Sequence, residues 1–121
     1  KLRMTIKKDK PQKLYYSISE VAQMFDINES ALRFWEKEFD MINPRKNEKG
    51  TRFYKEEDIE SVRVVYYLLK EQGMTLAGAK KKLRDNKEKV IRQVEVVNKL
   101  KLIRAELLSI KEAFDRIDPE E

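Results

Sequence analysis

Ser17-Ile18-Ser19-Glu20-Val21-Ala22-Gln23-Met24-Phe25-Asp26-Ile27-Asn28-Glu29-Ser30-Ala31-Leu32-Arg33-Phe34-Trp35-Glu36-Lys37-Glu38-Phe39 is the stretch whose reading decides the fold. Ser17 followed by Glu20 is a capping box: the hydroxyl accepts from the Glu20 N–H while the carboxylate reaches back. Ile18, Val21, Ala22 and Phe25 then keep the i, i+3, i+4, i+7 spacing of one buried stripe, so a helix of about eight residues is predicted. Asp26-Ile27-Asn28 breaks it, and Asn28 can cap a second helix over 29–39. With about 100° between successive residues, Ala31, Leu32, Trp35 and Phe39 share one side of that helix. Ser30, Arg33, Phe34 and Lys37 share nearly the opposite side. The first set is fit to bury. The second is polar and basic with an aromatic left outside, and a merely solvated face has little use for Phe34. Two short helices, a three-residue turn and such a face predict a helix-turn-helix.

Downstream, Pro44 stops any helix, and residues 42–54 read as a hairpin. Asn47 through Gly50 supply the turn, Thr51, Phe53 and Tyr54 favour strand, and Arg45, Lys46, Lys49 and Arg52 make the hairpin basic. An isolated hairpin is marginal, so this one must lean on the helices as a wing. Glu56, Glu57 and Asp58 suit the first turn of a helix whose stripe is Ile59, Val62, Val65, Tyr66 and Leu69, running to Lys70, with Gly73 its C′ residue. Thr75 caps a further short helix with Leu76, Ala79 and Leu83 inward; Lys80, Lys81, Lys82 and Arg84 crowd it, equally as a solvated face or as phosphate contacts.

From Lys87 to Ile117 neither Gly nor Pro interrupts the chain, and a helix of that length spans about 46 Å. Its apolar positions are Val90, Val94, Val97, Leu100, Ile103, Leu107, Ile110, Phe114 and Ile117, a heptad alternation with one extra three-residue step at Val97–Leu100. Such a stripe needs another helix, most simply its own copy, or else the helix folds back on the domain. The expected dimerisation residues are Val94, Val97, Leu100, Ile103, Leu107, Ile110, Phe114 and Ile117. Pro119 ends the helix.

Composition narrows the chemistry. The 121 residues suit one compact domain with an appendage, and contain no Cys or His and three Gly. Disulfides, thiolate nucleophiles, most zinc and copper sites, Ser-His catalysis and a glycine-rich phosphate loop therefore drop out, so neither an enzyme nor a cofactor is expected. No apolar run approaches the roughly 20 residues that cross a bilayer, and no export signal is evident, so no membrane partner is expected. The net charge is +5, and it is unevenly spread: residues 1–85 carry 19 basic and 14 acidic residues, residues 86–121 eight of each. A basic domain followed by a neutral helical tail suggests a polyanion-binding unit and a self-association unit. The expected organisation is a basic flexible arm or inert leader (1–13), a winged-helix domain (14–85) and a dimerisation coiled-coil helix (86–118). The chain begins at Lys1, with Met4 a candidate native start.

Tyr16-Ser17-Ile18-Ser19-Glu20-Val21-Ala22, Leu32-Arg33-Phe34-Trp35-Glu36, Pro44-Arg45, Gly50-Thr51-Arg52-Phe53-Tyr54, Asp58-Ile59 and Gly73-Met74-Thr75-Leu76 with Leu83, taken in order, resemble the DNA-binding domain of MerR-type transcriptional regulators. The resemblance runs from Tyr16 to Leu83. It implies a mostly α, winged helix-turn-helix fold with a small β-hairpin wing, and a homodimer joined by an antiparallel coiled coil of the long C-terminal helix. It further implies binding of double-stranded, pseudo-palindromic bacterial promoter DNA that is bent and untwisted for RNA polymerase, hence a cytoplasmic, nucleoid location. By position, Arg33 matches the recognition-helix arginine, Phe34 and Trp35 stand where the family commonly has two tyrosines, Arg45 and Arg52 match wing arginines, and Tyr54 matches the wing's terminal tyrosine. Phe34 lacks a phosphate-binding hydroxyl, so an apolar contact to a thymine methyl or sugar is expected instead. The effector domain of many members has no counterpart in these residues, nor has a metal-sensing cysteine.

The candidate DNA-binding residues are thus Ser17, Ser30, Arg33, Phe34, Lys37, Arg45, Lys46, Lys49, Arg52 and Tyr54. Arg33 can offer a bidentate fork to guanine, with a surface ion pair to Glu29 or Glu36 as its rival role. Ser30 and Lys37 suit phosphates, which position without specifying. Trp35 reads as core, and Tyr54 as either core or phosphate donor. The rival functions are an architectural, DNA-bending nucleoid protein of low specificity and a coiled-coil interaction adaptor.

Overall fold

The protein is described from a computed structural model covering residues 13–117, so the basic arm lies outside the described residues but for Lys13. Four helices and one hairpin follow in the order α1 (Ile18–Met24), α2 (Glu29–Glu38), β1 (Arg45–Lys46), β2 (Arg52–Phe53), α3 (Glu56–Tyr66) and α4 (Leu76–Ile117).

Local chemistry sets each helix start. The Ser17 hydroxyl accepts from the Glu20 N–H at 3.1 Å and the Glu20 carboxylate from the Ser17 N–H at 2.8 Å, completing the capping box. The same carboxylate pairs with Lys13. The Lys13 ammonium first, and the Ser17 N–H after it, hold the Glu20 carboxyl below its ordinary value. α1 ends with Asp26 in the left-handed region (φ 56°), where the Asp26 N–H reaches the Gln23 carbonyl and the Ile27 N–H reaches that of Ala22. This is a Schellman closure with aspartate in glycine's usual seat, a conformation that Asp tolerates better than most residues. Asn28 Oδ1 then accepts from the Ala31 N–H at 3.0 Å and opens α2.

The wing is smaller than the 42–54 hairpin the sequence suggests. Only Arg45–Lys46 and Arg52–Phe53 pair, in antiparallel register, around a turn in which Asn47 Oδ1 accepts from the N–H groups of Lys49 and Thr51. Gly50 closes that turn at φ 84°. Tyr54 instead pairs with the segment before α1: the Tyr16 N–H donates to the Tyr54 carbonyl at 2.8 Å and the Tyr54 N–H returns the bond at 2.9 Å. The chain's start and the wing's end are thereby stitched together.

α3 begins with Glu56, Glu57 and Asp58 at its positive dipole end and continues through Tyr67–Glu71 as a π-helical turn, where a plain helix to Lys70 was expected. Gly73, at φ 66°, turns the chain out of it. Thr75 Oγ1 accepts from the Gly78 N–H at 3.0 Å to cap α4. The two helices expected on either side of residue 86 are one element broken at a single non-helical residue, Asn86 (φ −138°, ψ 44°).

One core gathers Val21, Ala22 and Phe25 of α1, Leu32 and Trp35 of α2, Tyr54, the inner face of α3, and Ala79 and Leu83 of α4. It does not stop at the expected boundary of 85. Val90 and Val94, beyond the break, are buried in it, and Ile91 and Val97 pack on its edge. Val94, expected in a dimer seam, is therefore covered by the domain itself, and Val97 is partly so: the first turns of the long helix fold back on the domain. From Leu100 onward the stripe lies open, with Leu100, Ile103, Leu107, Ile110 and Phe114 between 56% and 65% exposed. The change of surroundings falls where the sequence has its extra three-residue step.

Candidate nucleic-acid interface

The divided surface of α2 is realised in the structure. Leu32 and Trp35 are buried, fixing the helix by one side, while Ser30, Arg33, Phe34 and Lys37 face outward. Phe34 is 47% exposed on a helix whose other aromatic is in the core. Arg33 Nη1 lies 3.6 Å from Glu29 Oε1, with both side chains close to half exposed. An exposed i, i+4 pair is worth about 0.3–0.5 kcal/mol, against roughly 1–3 kcal/mol for a bidentate guanine contact. The pair is therefore readily surrendered, and nothing in the domain walls Arg33 off.

Around this helix the basic side chains fall into two groups. Lys37, Arg45 and Lys49 carry no ion pair among the described residues; Arg45 instead donates to the Tyr15 hydroxyl at 3.3 Å, and Tyr15 meets Phe53 edge-on at 6.0 Å. Lys46 and Arg52 are held. Both bind Glu36, Lys46 Nζ at 3.2 Å from Oε2 and Arg52 Nε at 2.6 Å from Oε1. Arg52 is thus not a free wing hand as the sequence suggested: its side chain is 20% exposed with Nε committed to α2. Glu36 and Tyr15 were not among the candidates, because their partners lie 16 and 30 residues away and no local spacing reveals them.

Tyr54 requires a correction. Its ring is fully buried and its hydroxyl has no hydrogen-bond partner, so it is a core residue and not a surface phosphate donor. Burial, reinforced by the nearby Glu36 carboxylate, pushes the phenol far above its ordinary value. Ser17 keeps its hydroxyl exposed but spends it on the α1 cap, and Ser30 donates to Asn28 Oδ1 at 3.0 Å. Of the basic cluster on α4, Lys80 reaches Glu38 on α2 at 2.7 Å and Lys81 reaches Asp85 at 2.8 Å. The first pair braces α4 against α2, the second lies within α4, and both leave less of the cluster free for phosphates than its sequence suggests. No group of Cys, His, Asp and Glu among the described residues could hold a metal ion. No helix there is long and apolar enough to cross a membrane.

A helix-turn-helix with an outward basic face and a hairpin fastened beside it defines a winged-helix domain of the nucleic-acid-binding class. The model of the MerR HTH family regulatory proteins matches residues 16–86, more than half of the sequence, and the chain belongs to that family. It is 34% identical over 50 residues to the HTH-type transcriptional regulator MlrA of Escherichia coli (strain K12), covering 41% of this chain and 21% of that protein. It is 36% identical over 72 residues to the uncharacterized HTH-type transcriptional regulator YyaN of Bacillus subtilis (strain 168), covering 60% and 51%. The chain thus spans about a fifth to a half of the length of these curated relatives. Its fold is similar to that of HiNmlR, a MerR family regulator lacking the sensor domain whose crystal structure was solved bound to promoter DNA: TM-score 0.50, 24% identity, 86% of this chain and 85% of that one.

Proposed function

We propose that the protein is a sequence-specific, DNA-binding transcriptional regulator that acts as a homodimer on pseudo-palindromic promoter DNA and distorts it. The observation that carries this is the mounting of α2: Leu32 and Trp35 anchor it in the core while Arg33 and Phe34 stand outward. Arg33 reads a guanine edge in the major groove, and Phe34 makes an apolar contact there. Lys37, Arg45 and Lys49 meet phosphates, so affinity falls steeply with salt. The reading is of a binding protein, not an enzyme, with RNA polymerase at the promoter as its onward partner and the bacterial nucleoid in the cytoplasm as its location. That HiNmlR is a MerR family regulator bound to promoter DNA supports it.

The dimer is the occupant that the open face of α4 calls for. Leu100, Ile103, Leu107, Ile110, Phe114 and Ile117 are spaced 3, 4, 3, 4, 3, a series that reads the same in either direction. An antiparallel copy therefore sets Leu100 opposite the partner's Ile117, Ile103 opposite the partner's Phe114 and Leu107 opposite the partner's Ile110. A parallel copy keeps register too, but crowds two domains at one end, since Val90 and Val94 tie each domain to the start of its own helix. Two-fold symmetry in turn demands an inverted-repeat site, with half-sites about 34 Å apart or a multiple of that.

The test is selection of bound duplexes from a random library, followed by titration of Arg33→Ala on the recovered sequence. An inverted repeat and a loss of about 1–3 kcal/mol in Arg33→Ala, with unfolding unchanged, are expected. Equal affinity for unrelated duplexes would sink the reading.

A further inference from the structure

Glu36 lies within the Leu32–Glu36 stretch and plays no part in the function proposed above. It stands on α2 one turn after Arg33, and its side chain is only 12% exposed. Each carboxylate oxygen serves a different cation, Oε1 binding Arg52 of β2 and Oε2 binding Lys46 of β1. These are the two residues that face one another across the hairpin. One side chain of the recognition helix therefore grips both strands of the wing at the same rung.

This has a mechanical and an electrostatic side. A hairpin with two-residue strands does not hold its own orientation in water. The Tyr16–Tyr54 bridge tethers its end, and Glu36 ties its middle to α2. The Arg52 bond is short and partly shielded from solvent, so it outweighs exposed pairs such as Arg33–Glu29, while the Lys46 pair is longer and half open. Electrostatically, the carboxylate cancels one of the two charges, so Lys46 and Arg52 together present one net positive charge instead of two. Lys49, at the turn of the same hairpin, presents its full charge.

We infer that Glu36 is a positioning and specificity-determining residue of the interface: it sets the angle between the recognition helix and the wing, and withholds wing charge from indiscriminate phosphate binding. The inference rests on the DNA-binding reading. It predicts that Lys46 and Arg52 together bring one cation's worth, not two, to sequence-independent binding. It also predicts that removing the carboxylate strengthens random binding while weakening discrimination.

The experiment is a fluorescence anisotropy titration of the full chain on two labelled duplexes, one recovered from the selection above and one of mixed random sequence, over a series of salt concentrations. For Lys49→Gln, the slope of log affinity against log salt on the random duplex should flatten by about 0.9, one phosphate contact. For Glu36→Gln, the slope should steepen by about 0.9, and the ratio of selected to random affinity should fall about tenfold, the scale of one lost base contact. A carboxylate that only props up the fold would weaken both duplexes alike and leave the slope where it was. That outcome overturns the inference. Glu36→Asp keeps the charge but shortens the reach to the two strands, so it should lower the ratio of selected to random affinity with little change of slope; an unchanged ratio there also overturns the inference, a comparison that stands even if Glu36→Gln does not fold. A wild-type chain that binds neither duplex at low salt overturns the DNA-binding reading along with it.

Discussion

The two ends of α4 are built from the same kinds of residue and meet opposite surroundings. Val90 and Val94 are buried against α3 and the rest of the core, whereas Leu100, Ile103 and Leu107, only a few turns on, are more than half exposed. Periodicity along a helix tells which face is apolar; it does not tell what covers that face. The first turns find their cover within the domain, and the later turns have none among the described residues. On the proposed reading a second chain supplies it.

The sharpest way to break this comparison is to alter one apolar residue at each end in turn, beginning with the open one. Leu107→Asp removes two seam leucines per dimer, at roughly 1.5–3 kcal/mol for each buried side chain. Sedimentation should therefore show a monomer at micromolar concentration, with the domain's own unfolding intact. A dimer that survives unchanged would mean the seam lies elsewhere. Val94→Ala, made in that monomeric background, should lower unfolding stability by about 1.5–3 kcal/mol, independent of protein concentration. If urea denaturation shows no loss, the start of α4 is not part of the core.

Smaller effects sharpen the picture at the far end of the chain, where a cap and not a stripe sets the structure. Ser17→Ala removes the α1 cap and should cost about 1 kcal/mol, read as a lower urea midpoint. The weakest expected effect is a pH dependence. Because the folded carboxyl of Glu20 titrates below its ordinary value of 4.5, its contribution is fully present above that pH and drains away as pH falls through the folded value. The stability gap between the wild type and Glu20→Gln should therefore be flat near neutral pH and close on acidification. A gap that widens in acid would have the sign wrong.

What could be read in advance was what depends on neighbours three or four residues away. Ser17 with Glu20, Asn28 with Ala31, Thr75 with Gly78 and the two faces of α2 are all of this kind, and the structure has each of them. What could not be read depends on where distant segments meet. Tyr54 left the surface because its backbone pairs with Tyr16, and Arg52 turned inward because Glu36 waits on another element. The hairpin's sequence carries neither fact. The handover at Val97–Leu100 was half legible: the extra step marked a change of face, while its direction, from core to open, came only with the packing.

The break at Asn86 has a consequence for aim. A rod about 46 Å long, turned by about 10° at its root, would sweep its tip through roughly 8 Å; Val90 and Val94, wedged into the core just beyond the break, forbid that swing. In the proposed pair, the heading of each reading head is thus fixed like the leg of a locked compass, by a joint that touches neither nucleic acid nor the second chain.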